Sequence, residues 1–515
     1  MSVSPDSIQV AWLPLSEDPA LLASVLAQAG PWGVRAVHLS HALCHDADDL
    51  LEDAGRAERM AEFVRRCRAA GLRVWCWTHE ICRPPADCLQ AGQLDFDAPA
   101  LWQHLAAKYQ RFLTAVLPDL EGLVLTCAET DFLVYHDRDL RSGSTRPART
   151  TRLARALHDC CRRHGCRLAL RDFVYRRTEV SDMAQAIGDC PPDLIVMTKS
   201  VPHDWHPFYP SNPLLGAVGG REQWMELDLG HEYEGQHLYP YAEVEANLVR
   251  LRDGYARGVR TFAVRLDRAV EFRGVSALHC PWGRLELLTL RRFAEDPGVA
   301  AETIWGEWER TQFPGARRAV ELATRAVQTL LFPQRFWYAD HSRLPTWEYA
   351  ATHLVDGNAD RLPIWTGRAE DAAAEAEFRG MSATWRQVLQ AEAREGLALA
   401  RECVRLIRGA PHAAPELDAW RQAADSLEAW SELFALHREA FFAIEVLRWH
   451  SAPAGAAAAE SAVDELERAC VRWAPRLAHQ RLENERATAH FPRVIASLRT
   501  AAAARCSGVP VAPSL

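Results

Sequence analysis

Three acids stand where they could do chemistry. Glu129 lies in Thr126-Cys-Ala-Glu-Thr-Asp131, Asp204 ends Lys199-Ser-Val-Pro-His-Asp204, and Glu232 sits in Gly230-His-Glu-Tyr233. Each follows closely on a short apolar run. Carboxyl groups gathered from separate runs can divide labour: a protonated one donates to a leaving oxygen, and an ionised one activates water or attacks carbon. Mutual repulsion in a shared site raises the pKa of one member. Such a set suits cleavage of a glycosidic bond. Around these acids the same run ends carry Ser40 and His41, His79 and Glu80, Arg171 and Asp172, Lys199, His203 and Trp205, His231 and Tyr233, and Arg265 and Asp267. Arg171 and Lys199 are candidates to bind substrate oxygens or tune the acids; His79, Glu80, His203, Trp205, His231 and Tyr233 are candidates to line a sugar site. Two other readings fit the inventory. His79, Glu129, Asp204 and Glu232 would serve as ligands of a divalent ion in a sugar isomerase or lyase, and a barrel that only binds saccharide needs no acid at all.

The elements that must position these residues repeat regularly. Apolar runs rich in Val, Ile, Leu and aromatic residues read as strands at Ile8–Leu15, Ala36–His41, Arg73–Glu80, Gly122–Glu129, Arg167–Tyr175, Leu194–Lys199, Trp224–His231 and Thr261–Asp267. Near-continuous apolarity is expected of strands buried on both faces of a parallel sheet. Between them Arg56–Ala70 carries Met60, Phe63, Val64 and Cys67 at helical spacing and stops at Gly71, a C-cap residue. Leu101–Val116 and Val244–Tyr255 read as helices too. Strand and helix alternating eight times over about 270 residues predict a closed (β/α)₈ barrel, whose functional groups gather at the C-terminal ends of the strands.

After about Pro297 the strand signal fades. Pro415–Leu447 reads as a helix with Leu427, Trp430, Phe434 and Phe441 on a core-facing stripe. The Ala-rich stretch Ala452–Glu460 reads as a loop between helices, and Ser507–Leu515 as a frayed tail. The expected organisation is therefore an α/β catalytic barrel over 1–295 and a mostly α-helical C-terminal domain over 296–515.

Bulk properties exclude several classes. The chain has 515 residues, 48% hydrophobic and 25% charged, enough to pack a core, and a net charge of −9 without a long basic run argues against nucleic acid or an anionic membrane as partner. No apolar run approaches the roughly 20 residues of a membrane span. The N-terminus, MSVSPDS, has no signal-peptide pattern, so the expected compartment is the cytoplasm, with the 14 Cys as reduced thiols. Cys160, Cys161, His164 and Cys166 are close in sequence, but adjacent Cys on a helix point apart and do not make a zinc site. Neither a metal nor any other cofactor is expected. The 18 Trp suit sugar-binding surfaces or core packing equally well. Lys occurs only at 108 and 199 among 59 basic residues: Lys108 lies in a helical stretch and reads as ordinary, whereas Lys199 ends a strand, where a compact ammonium has a use.

Several of these segments resemble the glycoside hydrolase family 67 α-glucuronidases. Leu94 to Glu129 is similar to the family's stretch leading to the catalytic acid, with Glu129 in its place, and Leu170-Arg-Asp-Phe-Val-Tyr175 looks like its Arg-x-Phe-Val-Tyr strand, whose arginine holds the substrate carboxylate. Lys199-Ser-Val-Pro-His-Asp204 resembles Lys-Asn-Gly-Pro-Ile-Asp, and Met225 through Gln236 resembles Glu-Phe-Gln-x-x-Gln-Glu-Tyr-x-Gly-Gln, with an acid-to-acid interval of 232 − 204 = 28 that also agrees. Trp282-Gly-Arg-Leu285 and Glu302 to Trp308 look like the stretches that follow, so the resemblance runs from about Leu94 to Phe313. It implies an inverting, exo-acting hydrolase releasing a terminal α-linked uronic acid or related sugar from a small oligosaccharide or glycoconjugate. Glu129 would be the general acid, Asp204 and Glu232 the pair that activates water, Arg171 a carboxylate ligand, and the helical domain a dimer interface. Two features depart from the family: its separate N-terminal domain has no counterpart here, and its second carboxylate-binding lysine, four positions before the acid, is Leu125, which cannot pair with a charge.

Overall fold

The computed structural model describes residues 7–268, 276–356, 361–413, 415–448, 453–482 and 485–506. Eight parallel strands close into a barrel: β1 Gln9–Leu13, β2 Val34–Leu39, β3 Arg73–His79, β4 Gly122–Thr126, β5 Arg167–Arg171, β6 Ile195–Lys199, β7 Gln223–Asp228 and β8 Thr261–Arg265. Each pairs with its neighbours in sequence, and β8 returns to β1, with Gln9 opposite Thr261 and Leu13 opposite Arg265. The right-handed strand–helix–strand crossover makes this sequential order the natural solution for an alternating pattern.

Residues two apart along a strand share a face, so alternate positions point inward. Ala11, Leu13, Ala36, Trp75, Trp77, Val124, Ala169, Ile195, Met197, Trp224 and Ala263 form a buried cluster of their own inside the barrel. Trp75 meets Trp224 edge-on at 4.6 Å, and small residues on neighbouring strands make room for both. Gly122, at the start of β4, is part of that accommodation, because a Cβ there would lie 2.3 Å from the Arg167 carbonyl oxygen and 2.4 Å from the Trp75 ring. Trp12, Trp75, Trp77 and Trp224 are thus core residues, not sugar platforms.

The outer helices follow the apolar periodicity. Ala54–Ala69 buries Met60, Phe63, Val64 and Cys67, with the Asp53 carboxylate capping the Arg56 amide. From residue 296 onward the described elements are helices, apart from one two-residue hairpin at Arg481–Leu482 and Glu485–Arg486 and turns between. Leu417–Leu447 is a single long helix that buries the expected stripe and packs between Ala383–Arg408 and Pro453–Leu477. The helices also pack on the barrel, where Trp420 lies 5.4 Å from Trp282 and 5.1 Å from Phe313.

Two sequence readings are corrected. Ala452–Glu460 is not a loop, because a helix begins at Pro453; alanine is the strongest helix former, and proline is pre-set for the first turn. Lys108 is not an ordinary surface lysine. It is buried, its Nζ 2.6 Å from Asp48 and 2.8 Å from Glu80. The tail Ser507–Leu515 lies outside the described residues. The cysteines from Cys44 to Cys470 are free and buried, and the Cys160–Cys166 stretch forms no metal-ligand cluster among the described residues. No described helix is long and apolar enough to cross a membrane.

Candidate active site

The strand ends open into a polar mouth whose backbone is unusual at several points. His41, Glu129 and His231, which follow β2, β4 and β7, take left-handed φ values of 49°, 59° and 52°. Non-glycine residues avoid this region at a cost of order 1–3 kcal/mol, and they hold it where the surroundings over-determine it, commonly at functional sites.

Glu129 stands on one wall. Its amide donates to the Tyr175 hydroxyl at 2.9 Å, and its carbonyl accepts from His45 Nε2 at 3.1 Å, so the backbone carrying it is held on both sides. Its Oε2 lies 3.4 Å from His79 Nε2, 3.9 Å from His41 Nε2 and 4.0 Å from Arg171 Nη1. His79 Nδ1 donates to the His45 carbonyl at 2.5 Å, which turns Nε2 toward the carboxylate. With 41% of its side chain exposed, Glu129 is the most open of the three acids. Its surroundings raise its carboxyl by desolvation, but the close contact with His79 and the neighbouring His41 and Arg171 outweigh this and hold it well below the usual carboxylate range.

Asp204 and Glu232 share another part of the mouth. Asp204 Oδ1 lies 3.0 Å from Lys199 Nζ, and its Oδ2 accepts from the Tyr233 hydroxyl at 2.6 Å. Desolvation raises this carboxyl too, and Lys199, His203 and Tyr233 pull it far lower. Lys199 is itself buried, its ammonium 4.0 Å from the centre of the Trp205 ring and 4.3 Å from that of Phe173. Among the described residues, Glu232 is faced by Arg268 Nη2 at 3.0 Å, Arg265 Nη1 at 3.4 Å and His341 Nε2 at 3.4 Å. His341 also reaches the Tyr233 hydroxyl at 3.2 Å, so Asp204, Tyr233, His341 and Glu232 form one connected group.

The floor between the two walls is an ion network. Glu226, wholly buried on β7, accepts from Arg171 Nε at 2.7 Å and Arg265 Nε at 3.0 Å. The order across the mouth is therefore Glu129, Arg171, Glu226, Arg265, Glu232. Desolvation alone would raise Glu226; the guanidiniums on either side and Lys199 bring it below its ordinary value. Two guanidiniums between three carboxylates keep the outer acids apart and fix their directions.

The other expected site residues divide. His203 lies in an aromatic wall with Phe173, Tyr175 and Trp365, and Trp205 covers Lys199. Glu80 is not available to a ligand: it is wholly buried, bound to Lys108 Nζ at 2.8 Å and accepting from the Tyr109 hydroxyl at 2.5 Å. His231 is likewise withdrawn, buried with its Nε2 2.5 Å from Glu286 Oε2. The four-residue metal set His79, Glu129, Asp204 and Glu232 does not assemble; among the described residues, the ligand-type groups that converge are His41, His79 and Glu129. Glu226, Arg268, Asp340 and His341 were not expected. Glu226 carried the signal of an acid inside an apolar strand, and Arg265 stood in the strand-end inventory. His341 carried no signal, because it lies 109 positions after Glu232 (341 − 232 = 109) in a segment with no strand pattern.

No protein-family profile matches the chain, and no curated protein matches it. Among solved structures it is similar to a glycoside hydrolase family 138 enzyme targeting pectin rhamnogalacturonan II, at 12% identity and a TM-score of 0.62 over 96% of this chain and 65% of that one. The chain thus spans about two thirds of the length of that structure. To a mutant Thermobaculum terrenum O-GlcNAc hydrolase the similarity reaches only a TM-score of 0.45 at 10% identity, over 98% of this chain and 96% of that one. The first likeness bears out the (β/α)₈ barrel with its helical C-terminal part and does not extend to family 67.

Proposed function

We propose that the protein is a glycoside hydrolase that cleaves a terminal sugar from a small oligosaccharide or glycoconjugate with inversion. One observation carries this reading: Glu129 on one wall of the barrel mouth stands across a fixed ion network from the connected pair Asp204 and Glu232. A sugar seated over Arg171, Glu226 and Arg265 would have its glycosidic oxygen toward Glu129 and its opposite face toward the pair. Glu129 gives the leaving oxygen a proton, and Asp204 with Glu232 orients and deprotonates the attacking water. In the open site Glu129 is held ionised, and it takes up its proton as substrate excludes water and occupies Arg171, both of which raise the carboxyl. Arg171 Nη1 is buried without a hydrogen-bond partner and is the natural ligand for a substrate carboxylate or ring hydroxyl, which keeps an α-linked uronic acid among the candidate sugars. The fold neighbour that targets a pectin polysaccharide is compatible with such a substrate.

The test is Glu129→Gln assayed on paired substrates. The variant should lose about 10²–10⁴-fold in kcat on glycosides with poor leaving groups, the usual worth of a positioned acid, and far less on activated aryl glycosides, which need no proton. Equal loss on both would remove Glu129 from that role.

A further inference from the structure

Resting on the hydrolase reading, we infer that His41, His79 and Glu129 form a binding site for one borderline divalent metal ion of the zinc type, and that its occupancy shuts off hydrolysis by taking the acid out of use. The ligand atoms of the three residues all lie within 4.8 Å of one another. The two measured nitrogen-to-oxygen separations, 3.4 Å from His79 and 3.9 Å from His41, approach the roughly 3.3–3.5 Å expected between neighbouring ligands of a tetrahedral ion with arms of about 2.0–2.2 Å.

The preparation of His79 is what distinguishes this cluster from a chance gathering. Its ring is wholly buried, and its Nε2 has no hydrogen-bond partner while aimed at the Glu129 carboxylate. Its Nδ1 is committed to the His45 carbonyl, and the His45 ring stacks on it at 3.9 Å between centroids. A second-sphere carbonyl on one imidazole nitrogen leaves the other as a directed lone pair, the usual support of a metal-bound histidine. His41 is held by its left-handed backbone against Trp77, with ring centroids 5.3 Å apart. Two imidazoles and one carboxylate select zinc, cobalt, nickel or copper over calcium or magnesium, which prefer oxygen. Three protein ligands leave a fourth position open to water or to a substrate oxygen. The opposing charge is Arg171, whose Nη1 is 4.0 Å from Glu129 but whose Nε and Nη2 are turned to Glu226.

The experiment is calorimetric titration of the protein with ZnCl₂, repeated with CoCl₂ for its visible absorption, beside the hydrolytic rate at each occupancy on a glycoside with a poor leaving group, which needs the acid's proton. One ion should bind per chain, at least about tenfold more weakly in Glu129→Gln and in His41→Asn, the latter chosen because asparagine tolerates the left-handed backbone. Thermal melts of both variants check that each is folded, and the unmodified protein's rate should fall in step with occupancy. Absence of one-site binding, or unchanged affinity in both folded variants, overturns the ion site and leaves the hydrolase reading standing. Binding that the variants abolish, with a rate unaffected or raised by zinc, keeps the ion site and removes Glu129 from the acid's role.

Discussion

At the residue scale, the mouth is built from charges that would each be costly alone. Glu226 can be wholly buried because Arg171 and Arg265 bracket it, and those guanidiniums stay directed because Glu226 holds them. Not every acid nearby is so compensated. Asp267, just past β8, is buried; its carboxylate accepts from the backbone amides of Leu15, at 2.8 Å, and Ser16, yet burial lifts its carboxyl from 3.8 to about 7. In the unfolded chain it ionises near 3.8, so between that value and about 7 the folded state binds more protons. Its contribution therefore favours folding at low pH and is lost as pH rises through about 7, by an amount on the order of a few kcal/mol. Asp267→Asn, which keeps an acceptor and removes the ionisation, should raise the melting temperature relative to the unmodified protein more at pH 8 than at pH 5. A difference that is larger at pH 5 would contradict this assignment.

At the element scale, the strands were legible because both their faces are buried, and continuous apolarity is the signature of that environment. All eight expected strands contain an observed one, with ends differing by a few residues where polar groups of the mouth continue the run, except that β2 and β7 begin one or two residues before the expected start. Glu129 and His231 were read as strand termini; their left-handed backbones place them beyond the last strand hydrogen bonds, in the turns that aim side chains at the mouth. Their roles were less legible than their positions. Nothing local distinguishes Glu80, which meets Lys108, from Glu129, which stays open, because each partner comes from another element. The barrel interior makes its own prediction. Gly122→Ala should destabilise the fold by about 1–3 kcal/mol or more through overpacking against Trp75 and the β5 backbone, read as a lower denaturant midpoint with unchanged slope. A neutral outcome would mean that Trp75 has room to move.

At the scale of the whole molecule, the helical part completes the site. The turn at 340–343 reaches the barrel loop after β7: Ser342 Oγ accepts from the Gly235 amide at 2.7 Å and donates to the Glu232 carbonyl at 2.9 Å. Beside it Asp340 holds His341 Nδ1 at 2.8 Å, and His341 in turn faces Glu232 and Tyr233. His341→Gln removes one charge-assisted contact, worth about 1.5–3 kcal/mol, and should lower kcat by roughly 10–100-fold with a smaller change in KM; an unchanged kcat would place the helical part outside the chemistry. In the proposed reaction an acid on one wall works with a water held by the pair on the other. Proton NMR of the sugar first released from an aryl glycoside tests this most directly. The product should appear with the opposite anomeric configuration and then mutarotate; first release with the original configuration would exclude a water held opposite the acid.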